Sequence, residues 1–92
     1  MPESLERCVR ITNAEGLHAR PSGALVAVAQ GYTSDLRIAC EGREVNGRSI
    51  LELISLGAKH GSELCFTASG DDAEALLEHL ARIVESGFEE LA

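Results

Sequence analysis

The 92 residues are enough for one small domain with a single core, and we expect residues 1–92 to form that one domain. With 45% hydrophobic and 25% charged residues, the composition is typical of a globular protein and excludes a disordered chain. The net charge of −7, the single Tyr and the two Phe argue against a nucleic-acid surface, and no apolar run approaches the length of a membrane span.

Three cysteines stand far apart in the sequence, at Cys8, Cys40 and Cys65. Their number is odd, they contain no C-x-x-C pair, and no charged and apolar leader precedes them. We therefore expect reduced thiols in a cytoplasmic protein. No ligand pair among them has the spacing of a metal site, so we expect no metal.

The first predicted elements are a strand, a turn and a helix. Residues 5–12 are predicted to form a half-buried strand, because residues 8–12 alternate, with Val9 and Ile11 on one side. Residues 13–17 form the turn, and His18 takes the N-cap position of a helix that runs to about Gln30. Pro21 falls in the first turn of that helix, where a missing N–H costs nothing.

Two strands and a short helix follow. Residues 35–40 alternate in the same way, and a short third strand begins at residues 44–45 after a tight turn. Ser49 is the expected N-cap of a helix over residues 50–56. Glu52 stands three residues later, which completes a capping box.

The chain continues with a fourth strand and a last helix. Residues 63–68 again alternate, and Gly70 turns the chain. Asp71 is expected to cap the last helix, with Glu74 in the box position. The apolar residues of this helix recur at helical spacing: Ala73, Leu76, Leu77, Leu80, Ile83, Val84, Phe88 and Leu91.

The predicted element order is strand, helix, strand, strand, helix, strand, helix. Each strand has one apolar face, which favours an antiparallel sheet with helices covering one side. We therefore predict an α+β fold with the order βαββαβα.

The residues with the most suggestive chemistry lie where the first strand leads into the first helix. The first N–H groups of a helix lack partners within it and, together with the helix dipole, stabilise an anion. Arg20 adds a planar fork of donors suited to phosphate. His18 and Arg20 thus indicate a nucleophilic imidazole beside a phosphate pocket. His60 and His79 lack such surroundings, and we expect both to be ordinary surface residues.

A second pattern, G-x-x-x-x-G-R-S over residues 42–49, comes close to a phosphate-binding P-loop. Arg48 stands where that loop requires Lys, and the chain is too short for a nucleotide-binding α/β domain. Capping already explains Ser49. We therefore predict that this segment binds no nucleotide.

Three segments, Gly16–Pro21, Ser49–Leu51 and Ser55–Gly57, resemble the HPr family, the histidine-containing phosphocarriers of the phosphoenolpyruvate-dependent phosphotransferase system. The likeness covers nearly the whole chain. It implies an open-faced β-sandwich, with a four-stranded antiparallel sheet and three helices on one side. It also implies a phosphoryl carrier that is not an enzyme in the usual sense. His18 would accept phosphate from Enzyme I and pass it to a IIA protein or domain. We expect a monomer that needs no cofactor.

The resemblance also assigns roles around the histidine. It implies that phosphate sits on Nδ1 of His18 and that the N–H groups of Ala19 and Arg20 point at the phosphoryl oxygens. The Arg20 side chain would neutralise and orient the group. Glu15 departs from the family, in which a small polar residue is common here. Its carboxylate either points away from the phosphate or makes phospho-His18 more labile.

The resemblance places a regulatory site and a docking surface on the short second helix. Ser49 occupies the position of the family's regulatory serine, which implies a partner of the HPr kinase/phosphorylase type, although capping alone also explains the residue. Ile50, Leu51 and Ile54 are implied to form an exposed apolar docking patch. Core packing is the alternative for some of the three.

Two other functions stay open. The same chemistry would serve a regulatory, nitrogen-type branch of the phosphotransferase system, where only the partners differ. A small ligand-binding regulatory module is the alternative from a different class.

Overall fold

The protein, described here for residues 4–89 of a computed structural model, is a four-stranded antiparallel sheet with three helices. The strands are β1 (Ser4–Arg10), β2 (Asp35–Cys40), β3 (Arg43–Asn46) and β4 (Glu63–Ser69). The helices are α1 (Ala19–Ala29), α2 (Ile50–Ser55) and α3 (Ala73–Glu85). The predicted α+β class and the βαββαβα order are therefore confirmed. None of the described helices has the length and apolarity needed to cross a membrane.

The sheet has the strand order β1-β4-β2-β3, with antiparallel pairing at every step. Val9 of β1 lies opposite Leu64 of β4, and Ile38 of β2 lies opposite Phe66. All four are buried. The alternation seen in the sequence thus marks the face of the sheet that packs against the helices.

An aliphatic core fills the space between the sheet and the helices. Phe66 is fully buried at its centre, on the inner strand β4. The other largest fully buried apolar side chains are Ile11, Leu25, Ile38, Leu53, Leu64, Leu76, Leu80 and Val84. Every strand and helix contributes a buried residue to the same core, including Val45 from β3, so one core holds the site region and the sheet together.

The last helix differs from the prediction at both ends. Its N-cap is Asp72, not Asp71, and the Asp72 carboxylate makes no bond to its own helix. The helix ends at Glu85 because Gly87 and Phe88 both adopt positive φ, at 69° and 66°. Phe88 is still buried in the core. Its place in the apolar pattern therefore correctly indicates burial, although the residue lies beyond the end of the helix. Leu91 lies outside the described residues.

The end of α3 is closed by a Schellman motif. The N–H of Phe88 donates to the carbonyl oxygen of Ile83 at 3.0 Å, and the N–H of Gly87 donates to that of Val84 at 2.9 Å. This arrangement satisfies carbonyl groups that the helix itself leaves open. Gly87 supplies the left-handed residue that the motif requires.

The predicted capping box of α2 is half correct. The N–H of Glu52 donates to Ser49 Oγ at 3.3 Å, as expected for the N-cap. The Glu52 carboxylate does not return to the Ser49 N–H; it accepts instead from the N–H of Asn46 at 2.9 Å. The Ser49 N–H already donates to the Asn46 carbonyl, so Glu52 fixes the end of β3 to α2.

The expectation of three reduced thiols is wrong for Cys8 and Cys65, which form a disulfide. The antiparallel register places them directly opposite each other on β1 and β4, with their Cα atoms 4.0 Å apart. Sequence separation hides this pairing because only the sheet brings the two positions together. Cys40 is free and buried. Burial, followed by the negative charge of Glu41, raises the pKa of its thiol.

Candidate functional site

His18 lies at the N-cap of α1, as the sequence predicts. Its backbone is extended, with φ −88° and ψ −166°, and its carbonyl oxygen accepts the first helical hydrogen bond from the N–H of Ser22 at 3.1 Å. Its side chain makes no capping bond and is exposed. The backbone of His18 therefore starts the helix while the imidazole stays available to another molecule.

Arg20 stands in the first turn of the same helix. Its side chain is exposed, and within residues 4–89 it takes part in neither a hydrogen bond nor an ion pair. The N–H groups of Ala19 and Arg20 are among the first of α1, which have no acceptor inside a helix. Together these groups offer a cation and two backbone donors to an anion held beside His18.

The turn before His18 is positioned by the segment that follows α2. The N–H of Leu17 donates to the carbonyl oxygen of Ala58 at 2.9 Å, and Asn13 Nδ2 donates to the carbonyl oxygen of Gly16 at 2.9 Å. Gly16 has φ +70°, and a Cβ built there would lie 2.6 Å from the oxygen of Ala58 and 2.6 Å from the Cα of Lys59. Only glycine fits this place.

Glu15 is also on this turn and is exposed. Its carboxylate makes no hydrogen bond or ion pair with the other residues between 4 and 89. Because no hydrogen bond or ion pair with these residues fixes it, the exposed side chain is free to rotate. A rotating carboxylate can turn toward or away from an anion at His18, so both expectations for Glu15 stay predictions.

Three apolar side chains of α2 face solvent. Ile50, Leu51 and Ile54 are 42%, 80% and 37% exposed, whereas Leu53 between them is fully buried. One residue of the helix thus anchors it to the core and three remain outside. A Cβ built at Gly23 would lie 4.0 Å from Ile50 Cδ1, so this patch adjoins α1, the helix that begins at His18.

Arg48 has a structural role that sequence reasoning missed. Its Nη1 donates to the carbonyl oxygen of Ala29 at 2.7 Å, and its Nη2 donates to those of Tyr32 at 2.8 Å and Ser34 at 2.7 Å. The guanidinium thereby satisfies carbonyl groups at and after the end of α1. Its donors are committed to the backbone, which agrees with the rejection of a P-loop here. No local signal marks this role, since the partners lie 14 or more residues away.

The two other histidines differ from each other. His60 is exposed in a turn, as expected. His79 is half-buried, and its Nδ1 is 3.1 Å from the Tyr32 hydroxyl, with the two rings in an edge-to-face arrangement. The expectation of an ordinary surface residue is therefore wrong for His79, which packs α3 against the loop after α1.

Only one group of potential metal ligands is found among residues 4–89. Glu6, Cys8 and Cys65 place one ligand atom each within 4.8 Å of the others. The two sulfur atoms are bonded to each other, so neither is available as a thiolate ligand. His18 is not a member of this group.

Comparison with known proteins identifies relatives of the whole fold. A family model described as "PTS HPr component phosphorylation site" matches residues 5–86. The phosphocarrier protein HPr of Streptomyces coelicolor is 42% identical over 87 residues, covering 94% of each chain. The multiphosphoryl transfer protein of Vibrio cholerae is 44% identical over 84 residues; these are 88% of this chain but only 21% of that protein.

A solved structure has the same architecture. The crystal structure of HPr-C-His from Thermoanaerobacter tengcongensis superposes with a TM-score of 0.88 at 34% sequence identity. The match covers 96% of this chain and 99% of that one. The open-faced sheet with three helices is thus shared along nearly the full length.

Proposed function

Because the chain belongs to the HPr family of phosphocarrier proteins, we propose that His18 accepts a phosphoryl group from phospho-Enzyme I and passes it to a IIA protein or domain of the sugar phosphotransferase system. One observation carries this proposal. The His18 imidazole is exposed at the N-terminus of α1, next to an Arg20 side chain that is unengaged within residues 4–89. A carrier needs such an accessible nucleophile beside groups that bind phosphate.

The transfer is a displacement at phosphorus. The lone pair of His18 Nδ1 attacks the phosphorus atom, a P–N bond forms, and the bond from phosphorus to the donor breaks with its electron pair returning to the donor. The N–H groups of Ala19 and Arg20 and the Arg20 guanidinium hold the phosphoryl oxygens. Transfer to the acceptor is the same reaction with the roles exchanged, so the carrier is unchanged at the end.

The exposed patch of Ile50, Leu51 and Ile54 is the proposed docking surface for Enzyme I and for IIA proteins. It adjoins α1, since a Cβ built at Gly23 would lie 4.0 Å from Ile50 Cδ1, so a partner that covers the patch also reaches the first half of that helix. An exposed apolar patch of this kind is typical of an interaction site. One small patch suits transient binding by successive partners.

In this proposal the chain acts as a single-domain cytoplasmic monomer without a cofactor.

Ser49 is the proposed regulatory site. Its hydroxyl lies at the N-cap of α2, next to the docking patch, and it is half-buried. A phosphate added there by a kinase of the HPr kinase/phosphorylase type would meet the positive end of the helix dipole, so α2 would remain folded. Its two negative charges would stand at the edge of the patch and weaken docking.

The test is a complete relay in solution. Phosphoenolpyruvate and Enzyme I are added to the chain, followed by a IIA domain, and acid-labile phosphate is followed on each protein. We expect label on the chain and then on the IIA domain, and none on either protein with His18→Ala. Label that reaches the IIA domain equally well with His18→Ala would contradict the proposal. Ser49→Asp is expected to slow the first step; unchanged kinetics would remove the regulatory assignment alone.

A further inference from the structure

We propose that the Cys8–Cys65 disulfide is a reversible crosslink, opened and reformed by thiol–disulfide exchange, that sets the stability of the strand pair supporting the His18 turn. The bond joins β1 to β4, the two strands whose ends lead into that turn and into the segment against which it packs. Nothing in phosphoryl transfer itself requires these cysteines.

The disulfide lies on the face of the sheet that the helices do not cover. Val9 and Leu64, the neighbours of the two cysteines, are opposite each other and buried in the core. Because side chains alternate along a strand, Cys8 and Cys65 project to the other face. Cys8 is exposed and Cys65 is half-buried, so the Cys8 sulfur is the one open to an attacking thiolate.

The exchange is balanced by a dithiol reductant. Its first thiolate attacks Cys8 Sγ; a mixed disulfide forms, the Cys8–Cys65 bond breaks, and Cys65 leaves as a thiolate that takes up a proton. The second thiol of the reductant then loses its proton and attacks the reductant's first sulfur, which is bonded to Cys8 in the mixed disulfide. Cys8 is released as a thiolate and is protonated in turn. The reductant ends as a disulfide, and the protein has gained two electrons and two protons. A disulfide oxidant reverses both steps.

Hydrogen bonds beyond the strand pair lie between this crosslink and the phosphoryl site. Beyond β1, the N–H of Ile11 donates to the carbonyl oxygen of Ser62 at 2.8 Å, and the N–H of Gly61 donates to that of Ile11 at 2.9 Å. The N–H of Leu17 then donates to Ala58. The pairing that includes Cys8 and Cys65 thus ends near Ile11 and Gly61, and the next bond between the same two segments holds Leu17, the residue before His18. Loosening the pairing would therefore loosen the turn.

The size of the loop makes the crosslink effective. The cysteines are separated by 57 residues, and a bond across so long a segment greatly restricts the unfolded chain. A disulfide in a reducing compartment is usually transient and redox-responsive. The inference that the bond is redox-responsive in the cell rests on the proposed cytoplasmic location. The position and exposure of the bond are independent of that location.

Cys40 makes the reaction simple to follow. It is the third cysteine, it is buried, and its raised thiol pKa keeps it unreactive. An alkylating reagent applied to the folded protein should therefore label no cysteine in the oxidised state and two in the reduced state. Cys40→Ala is the matched control, because it removes a thiol and leaves the crosslink intact.

The experiment treats the folded chain with dithiothreitol, then with oxidised glutathione, without denaturant. Alkylated cysteines are counted by mass spectrometry, and thermal unfolding and amide hydrogen exchange are recorded in each state. We expect reversible labelling of Cys8 and Cys65, a melting temperature lower by about 10 °C on reduction, and at least about tenfold faster exchange at Ile11 and Leu17. The double variant with Cys8→Ser and Cys65→Ser should match the reduced wild type. Cys40→Ala should show the same difference between its oxidised and reduced states as the wild type does.

Three outcomes would overturn the inference. The first is a disulfide that dithiothreitol reduces only after unfolding, which would make it a permanent staple. The second is a folded chain whose two thiols do not reoxidise with glutathione disulfide. The third is reversible exchange with no change in the protection of Ile11 and Leu17. None of these readouts uses phosphoryl transfer, so they are independent of the outcome for His18.

Discussion

Leu17 donates its backbone N–H to the carbonyl oxygen of Ala58 over 2.9 Å, and this bond fixes the residue before His18 to the segment after α2. Gly16 makes the close approach possible, since any side chain there would collide with the Ala58 carbonyl. The orientation of the proposed phosphoryl acceptor is thus set by a contact between distant parts of the chain and not by α1 alone.

Replacing Gly16 with Ala should destabilise the protein by about 2–3 kcal/mol, from a left-handed φ and a backbone collision together. Gly42→Ala is the matched control. Gly42 also has a positive φ, +83°, but no atom of residues 4–89 lies within 4 Å of a Cβ built there. The control should lose only about 1 kcal/mol. Urea unfolding measures the free energy of unfolding of both variants. Equal losses of stability would mean that the backbone at Ala58 moves aside to make room for a side chain at residue 16.

Arg48→Lys should cost about 2 kcal/mol, because one ammonium group cannot replace a guanidinium that donates to three carbonyl oxygens. Arg37→Lys is the control, since within the described residues the Arg37 side chain forms just one exposed ion pair, with Glu44 at 3.3 Å. That variant should stay within about 0.5 kcal/mol of the parent. Chemical denaturation at neutral pH compares them. A loss of stability for Arg48→Lys no larger than for Arg37→Lys would refute the proposed stabilising role of the Arg48 guanidinium.

The stability of the fold should fall in acid through Asp72. Its carboxylate accepts from the Ser34 hydroxyl and from the Thr33 N–H, and these bonds, in that order, lower its pKa below the ordinary 3.8. A carboxyl group with a depressed folded pKa stabilises the protein above its unfolded pKa, and this contribution disappears as pH falls through the folded pKa.

Asp72→Asn provides the measurement, because asparagine resembles the protonated acid. The parent should have the higher urea midpoint at pH 7, and the difference between the two proteins should shrink steadily below pH 3.8. Glu74→Gln, in the exposed first turn of the same helix, should show no comparable change. A gap between parent and Asp72→Asn that is constant across this range would show that the carboxylate charge is not involved.

Leu51→Ser should weaken docking without affecting the fold. Leu51 is 80% exposed, so its removal should change the free energy of unfolding by less than about 0.5 kcal/mol. The KM of Enzyme I for the chain should rise about tenfold with kcat unchanged, which corresponds to about 1.4 kcal/mol of binding. Leu5→Ser is the control, an exposed leucine on β1. A similar KM effect from both variants would remove the α2 patch as the docking surface.

The sequence was most informative where local chemistry decides the structure. Alternation predicts the first, second and fourth strands, and the tight turn before residues 44–45 predicts the third. Ser49 is correctly predicted as an N-cap because its hydroxyl needs only the next turn of the helix. The position of His18 at the N-cap of α1 is likewise predicted from the residues around it. These features depend on neighbours within a few positions.

Contacts between distant segments were beyond sequence reasoning. The Cys8–Cys65 bond depends on the β1–β4 register, and Arg48 reaches carbonyl groups of the loop after α1. The sequence predicts Asp71 as the cap of α3, but Asp72 holds that position, and its carboxylate binds Ser34 instead of its own helix. In each case the structure is decided by a residue that is distant in the sequence and close in the fold. A single sequence does not show which residue that is.

The central claim is that the imidazole of His18 carries the phosphoryl group, and peptide mapping of the phosphorylated protein tests it most directly. The chain is labelled by phosphoenolpyruvate and Enzyme I, digested at alkaline pH, and the modified residue is located by mass spectrometry. The variant with His60→Gln and His79→Gln together is the matched control. We predict one phosphate per chain, on His18, in both the parent and this control. Phosphate found on His60 or His79, or a parent chain that takes up none, would contradict the account.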